Sequence, residues 1–339
     1  MGVLTRAASA ACIALVAIGL ASIRPAAAQE IQLKASLFVP PGNPLVRAME
    51  KWAEEMKAKS NGRLIIKIFP AGQMGPPPRQ FDLARTGVAD IAVILHGSTP
   101  GRFPLTELTH VPGFVKGTYG SSLGVSEIAQ EVLGPDYPGV KILNVVFLDT
   151  VIISRSEIAN ANSLKGKRVR AAGSVQSDVL EALGAVPTVV QPGDLNDALN
   201  KGMIEGVSTA YSAIESYKLD DVAKFVSEGD MGSVTFATVM NQAAYDALPP
   251  DLRRLIDESS GLASAKLFAR IVTDDEIRLR ENLLKRGVKI SRLADDGALT
   301  QASQKILDLA IKKAEAKGLD ARNVLKRMKA AVAKYADQH

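Results

Sequence analysis

The chain has 339 residues, of which 47% are hydrophobic and 23% charged; this is ordinary globular composition, too long for one comfortable core and suited to two domains. That excludes a largely disordered or fibrous molecule. The formal net charge is +5 at pH 7, with acidic and basic residues interspersed, which argues against a nucleic-acid or membrane-surface binder.

The chain opens with Arg6, an uncharged run over residues 7–23 and then Ala26-Ala27-Ala28. A charged start, a short apolar run and small residues at a cleavage point predict a secretory signal peptide over 1–28. The run is Ala-rich and at the short limit for a membrane anchor, so the mature protein is expected in the periplasm and not embedded in a membrane. Cys12 is the only cysteine, and Ser9 stands where a lipidation site wants Leu. The mature chain therefore lacks disulfides, thiol nucleophiles and Cys metal sites. Arg6 and Arg24 leave with the leader, so 39 basic residues face 36 acidic, a net charge of +3.

Residues 31–39 (IQLKASLFV) alternate and predict a strand. Asn43 then caps a helix with Pro44 at its first position, and Leu45, Met49, Trp52 and Met56 form its apolar stripe. A strand over 63–69, a short helix stopped by Gly87 and a buried strand over 90–95 complete a β-α-β-α-β set, the layout of a largely parallel sheet. A second α/β set follows. It has strands at 142–148, 151–154, 167–172, 186–190 and 205–210, with helices at 174–183 and 193–202 between them. A long strand covers 233–241. From Pro249 the chain reads as nearly all helix apart from VKIS at 288–291, and 251–287 reads as one span long enough to bridge two domains. Residues 100–114 (PGRFPLTELTHVPGF) read as a stiff loop, packed at a cleft edge or turned toward a partner.

The motifs of enzymes are missing. HExxH, GxSxG, GxxxxGKS/T and GxGxxG are absent, and GPPP at 75–78 is rigid with no cradle of N–H groups. The mature chain has three histidines, His96, His110 and His339, none paired at metal-ligand spacing. Asp220-Asp221 and Asp274-Asp275 lie in polar helical contexts and read as solvated. No catalytic residue, metal or cofactor is assigned, and a secreted hydrolase or lyase has no support in the residues.

A secreted two-domain α/β protein without catalytic groups suggests binding in an interdomain cleft, at the carboxyl ends of strands. In GKRVRAAG (166–173) alternation puts Arg168 and Arg170 on one face of a strand and Val169 on the other. Arg170 closes the strand before small residues. A guanidinium there offers a planar fork for a carboxylate; a structural ion pair with a nearby acid is the competing reading.

NGRLIIKIFPAGQMGPPPRQFDLARTGVADIAV, SLKGKRVRAAG, ALGAVPTVVQPGDLNDALNKGMIEGV and MNQAAYDALPPDLRRLI, in this order, resemble the solute-binding proteins of tripartite ATP-independent periplasmic (TRAP) transporters, of the dicarboxylate-binding DctP type. The resemblance spans nearly all of the mature chain. It implies a two-domain periplasmic-binding-protein fold (type II-like) with a hinge and a long domain-bridging C-terminal helix. It also implies an organic-acid ligand and a TRAP membrane permease as partner. The expected units are 29–148 plus 236–275, and 149–235 plus 276–339. On the same resemblance Arg170 falls on the family's ligand-carboxylate arginine, and Thr209 on a polar position beside it.

Thr150 stands where sialic-acid-binding relatives carry a second arginine, which disfavours a polar acid sugar. Phe38, Pro77 and Leu95 fall on lining positions that are polar elsewhere, Pro192 also falls at the pocket, and Tyr211 and Phe236 are nearby candidates. His96 is either a contact for a distal ligand group or a capped loop histidine. One cation among apolar walls suits a monocarboxylate with a hydrophobic or aromatic body. A C4-dicarboxylate, a 2-oxo acid, or a sensory receptor as partner are the alternatives; a registration off by a residue or two would make some of these positions plain core.

Overall fold

The computed structural model describes residues 30–338 except 295 and 296. The expected signal peptide, Cys12 and His339 lie outside the described residues.

β1 (Ile31–Ser36), β2 (Leu64–Phe69) and β3 (Ile91–Leu95) pair in parallel, with α1 (Pro44–Lys59) as the first crossover. The Asn43 side chain accepts from the Leu45 N–H and so caps α1 ahead of Pro44. Leu45, Met49, Trp52 and Met56 are buried by this helix against the sheet. β4 (Val140–Asp149) and β10 (Ser233–Asn241) complete a sheet of order β2-β1-β3-β10-β4.

The second sheet has the order β11-β9-β5-β8-β6-β7, from β5 (Val151–Ser154), β6 (Arg168–Arg170), β7 (Val186–Thr188), β8 (Gly206–Thr209), β9 (Phe225–Glu228) and β11 (Lys289–Arg292). Each sheet is parallel but for one strand: β10 in the first and β5 in the second. Both reversed strands begin where the chain passes between sheets, after Asp149 and after Glu228. The Thr150 N–H and hydroxyl both donate to the Gly232 carbonyl, at 3.2 and 2.9 Å, and tie the two crossings together.

The single span expected over 251–287 is two helices. Pro250–Glu258 ends at Ser259, and α5 (Leu262–Lys285) starts anew; of the other helices, in chain order, α2 is Thr118–Val132, α3 Ser174–Ala182, α4 Tyr211–Ser216, α6 Ala298–Glu315 and α7 Ala321–Ala333. Gly261 makes the break with a φ of 58°, which other residues rarely adopt, while its N–H donates to the Leu143 carbonyl at 2.7 Å. α5 still bridges: Phe268 and Val272 pack with the first sheet's core, Leu279 and Leu283 with that of the second.

Two further expectations are corrected. Residues 100–114 are not loop alone. They contain the helical turns Pro104–Glu107 and Leu108–His110, and Phe103, Leu105 and Leu108 are core residues. The 276–339 segment does not belong to one unit. α7 packs on α2 of the first lobe, with Val324, Met328 and Val332 in that lobe's core, because α7 is amphipathic and α2 presents a groove of small residues. α2 itself has no clear apolar period. Ser122 and Ser126 face inward and satisfy the backbone of Phe147 and Val145, which hides the helix from a periodicity reading.

Candidate functional site

β6 supplies the cation. Val169 is in the second lobe's core, and Arg168 lies exposed in an ion pair with Glu205 at 3.0 Å. Arg170 is the third residue of the strand and only 6% exposed. Its Nε donates to the Val190 carbonyl at 3.2 Å and its Nη1 to the Ser208 carbonyl at 3.3 Å. Among the described residues no Asp or Glu forms an ion pair with it, so the structural-pair reading does not hold. Burial pulls the guanidinium down to about 10, and it remains a cation at neutral pH. A buried charge with no counter-charge is costly and calls for an anion.

Arg170 lines a cavity of about 50 Å³ between the two sheets. Thr209, at the end of β8, stands beside it, since β6 and β8 pair in parallel with Arg170 opposite Val207. Tyr217 completes this polar end, where burial pushes its phenol up to about 12 against the pull of Arg170. The remaining wall is mostly apolar, with Asn43 and Ser212 as its polar members. Phe38, Leu95, Val234 and Phe236 come from the first lobe, and Ala172, Pro192 and Leu195 from the second. Phe38 and Phe236 lie nearly parallel, with ring centroids 6.3 Å apart. Asn43 donates from its Nδ2 to Ser216 Oγ at 3.0 Å across the cleft.

The structure thus brings Arg170, Thr209, Phe38, Leu95, Pro192 and Phe236 together. Four expected residues do not line the cavity. Pro77 begins a 3₁₀ turn away from it. Thr150 spends its hydroxyl on Gly232. The Tyr211 phenol donates to Glu228 at 2.6 Å, and Tyr211 lines a separate cleft on the hinge side. His96 is fully buried, with Nδ1 on the Thr235 carbonyl and Nε2 on the Tyr137 hydroxyl, so it is the capped histidine.

Sequence reasoning missed Asn43, Leu45 and Tyr217 as lining residues. Ala213 and Tyr217 stand four residues apart, on α4 and its C-cap, the spacing that places side chains on one side of a helix, and that was the available signal.

Other hollows are larger than this cavity. The hinge-side cleft of about 600 Å³ has its Arg280 already bonded to Glu228 at 2.6 Å. A groove of about 350 Å³ beside α6 and α7 offers only the surface Lys329 as a cation. Among the described residues no cluster of His, Cys, Asp or Glu could hold a metal, and no helix is long and apolar enough to cross a membrane.

Residues 35–317 match the family model of bacterial extracellular solute-binding protein family 7, DctP. The chain belongs to this family. This DctP-family chain is a TRAP-type solute-binding protein with the two-lobed α/β fold of periplasmic binding proteins. It is 28% identical to a TRAP solute-binding protein of Rhodoferax ferrireducens solved with copurified benzoate; the match covers 91% of this chain and 99% of that one at a TM-score of 0.85. It is 31% identical to a marine-metagenome TRAP protein specific for aromatic acids, solved with metahydroxyphenylacetate, again at a TM-score of 0.85 and covering 90% of this chain and 99% of that one. Among curated relatives, the C4-dicarboxylate-binding periplasmic protein of Rhodobacter capsulatus is 23% identical over 80% of this chain and 83% of its own.

Proposed function

We propose that this DctP-family protein captures an organic monocarboxylate with an apolar or aromatic body in the periplasm and hands it to a TRAP permease. Arg170, Thr209 and Tyr217 hold the carboxylate; Phe38, Leu95, Phe236 and Pro192 enclose the body. The observation that carries the reading is a single buried guanidinium, without a carboxylate partner, at the polar end of a cavity lined mostly by apolar residues. Among the described residues no second cation lines this cavity, so the far carboxylate of a C4-dicarboxylate would be desolvated without a counter-charge. The ligands of the two relatives near 30% identity, benzoate and metahydroxyphenylacetate, have the chemistry expected.

The cavity is smaller than the roughly 150 Å³ apolar cavity that admits benzene. A ring therefore enters with the lobes parted and is clasped as Phe38 and Phe236 settle on it. The contacts come from both lobes, which is what lets a ligand favour the closed form.

The test is a thermal-shift screen of aromatic, 2-oxo and C4-dicarboxylic acids, followed by calorimetry. Aromatic monocarboxylates are expected to raise the melting point and succinate to leave it unchanged. Charge-assisted bonds contribute about 1.5–3 kcal/mol each and 1.4 kcal/mol is about tenfold in affinity. Arg170→Ala and Arg170→Lys are therefore expected to bind at least tenfold more weakly. Unchanged affinity in both variants refutes the assignment.

A further inference from the structure

Glu276 sits on the bridging helix α5, away from the ligand cavity and lining the hinge-side cleft. Its two carboxylate oxygens are both engaged with one partner element. The Tyr211 N–H donates to Oε2 and the Ser212 N–H to Oε1, each at 2.8 Å. These are first-turn amides of α4, which have no acceptor within their own helix. α4 starts two residues after Thr209, and Ser212, Ala213 and the following Tyr217 line the ligand cavity. One carboxylate on one helix therefore fixes the wall that faces Arg170.

We infer that Glu276 is a positioning residue for ligand binding, whose carboxylate holds the Thr209–Tyr217 wall in register with Arg170. This rests on the proposed role of the Arg170 cavity. Two amide donors need two acceptor oxygens. A protonated or amidated side chain turns one acceptor into a donor and leaves one amide facing it.

The surroundings make that proton exchange accessible. Among the described residues no Lys or Arg forms an ion pair with Glu276. On its own helix, Asp275 is held by Arg47 and Arg278, both at 2.6 Å, and Arg280 by Glu228 at 2.6 Å. From the other elements, Glu228, Asp230, Asp149, Arg292 and the Tyr211 phenol share the cleft, the phenol being donated to Glu228. Burial, with Asp275 adding to it, pushes the Glu276 carboxyl up to about 7. The clamp is thus complete above neutral pH and lost as the pH falls below it.

Glu276→Gln keeps size and removes only the second acceptor. Its binding of benzoate and 3-hydroxybenzoate is expected to be about tenfold weaker at pH 8. Wild-type affinity is expected to fall several-fold from pH 8 to pH 6, and the variant's to stay level. In NMR titrations without ligand, the amides of Tyr211, Ser212, Thr209 and Tyr217 are expected to shift together near pH 7 in the wild type and not in the variant. A variant with wild-type affinity and wild-type pH slope overturns the inference, and so do wall amides that ignore pH in the wild type. If neither acid binds the wild type, the ligand reading fails while the amide titration still decides the role of Glu276.

Discussion

Arg170 and His96 show how differently two buried polar side chains can be used. Arg170 bonds only to carbonyls and lacks a carboxylate, whereas His96 is enclosed in a network running through Tyr137 and Thr106 to Asp136. His110 lies beside it, with its Nε2 buried and without a partner. Burial holds His110 down at about 3 from an ordinary 6.5. The folded chain then binds fewer protons than the unfolded chain below pH 6.5, so stability is lost as the pH falls toward 3. At pH 5 this one group costs about 2 kcal/mol. Asp136, raised to about 6, acts in the opposite sense over the same range, so the wild-type profile alone does not isolate His110. His110→Leu is expected to gain more melting temperature over wild type at pH 5 than at pH 8. Equal gains in calorimetry at the two pH values would contradict this.

At the scale of elements, the two lobes touch through backbone where Gly97, just after β3, meets Ala172 and Gly173, just after β6. A Cβ on Gly97 would stand 1.6 Å from the Ala172 carbonyl oxygen, a contact no local adjustment accommodates. Ala172 also lines the ligand cavity, so this seam and the cavity close together. Glu107 reaches across the same seam to the Ser174 hydroxyl at 3.4 Å. Gly97→Ala is expected to fold normally, since the separated lobes have room for it, yet to bind at least tenfold more weakly through faster release. Stopped-flow dissociation checks this; an unaltered release rate sinks it. Strands with alternating or wholly apolar residues, such as β3 and β10, were legible in the sequence, as was α1 with its cap. α2 was not, because its serines bond the neighbouring strand and erase the apolar stripe.

For the whole molecule, α5 carries side chains into the cores of both lobes, and the crossings at Thr150 and Gly232 are pinned to each other. Closure is then a rotation about that pinned pair, with α5 spanning it. Small-angle scattering is expected to show a smaller radius of gyration for the wild type with bound acid than without, and no contraction for Gly97→Ala. A radius indifferent to ligand in the wild type would argue against hinge closure.

What the sequence by itself determined was the α/β class, two units and a cation at a strand end beside small residues. Those follow from local period, chain order and residue type, which are properties of neighbours along the chain. Only the tertiary structure decided that Arg170 lacks a carboxylate partner, that Tyr217 joins it while Thr150, Tyr211, His96 and Pro77 stay outside, and that α7 returns to the first lobe. Each of these depends on which surfaces meet between residues on different elements, distant along the chain, and such a contact leaves no period in the sequence to read.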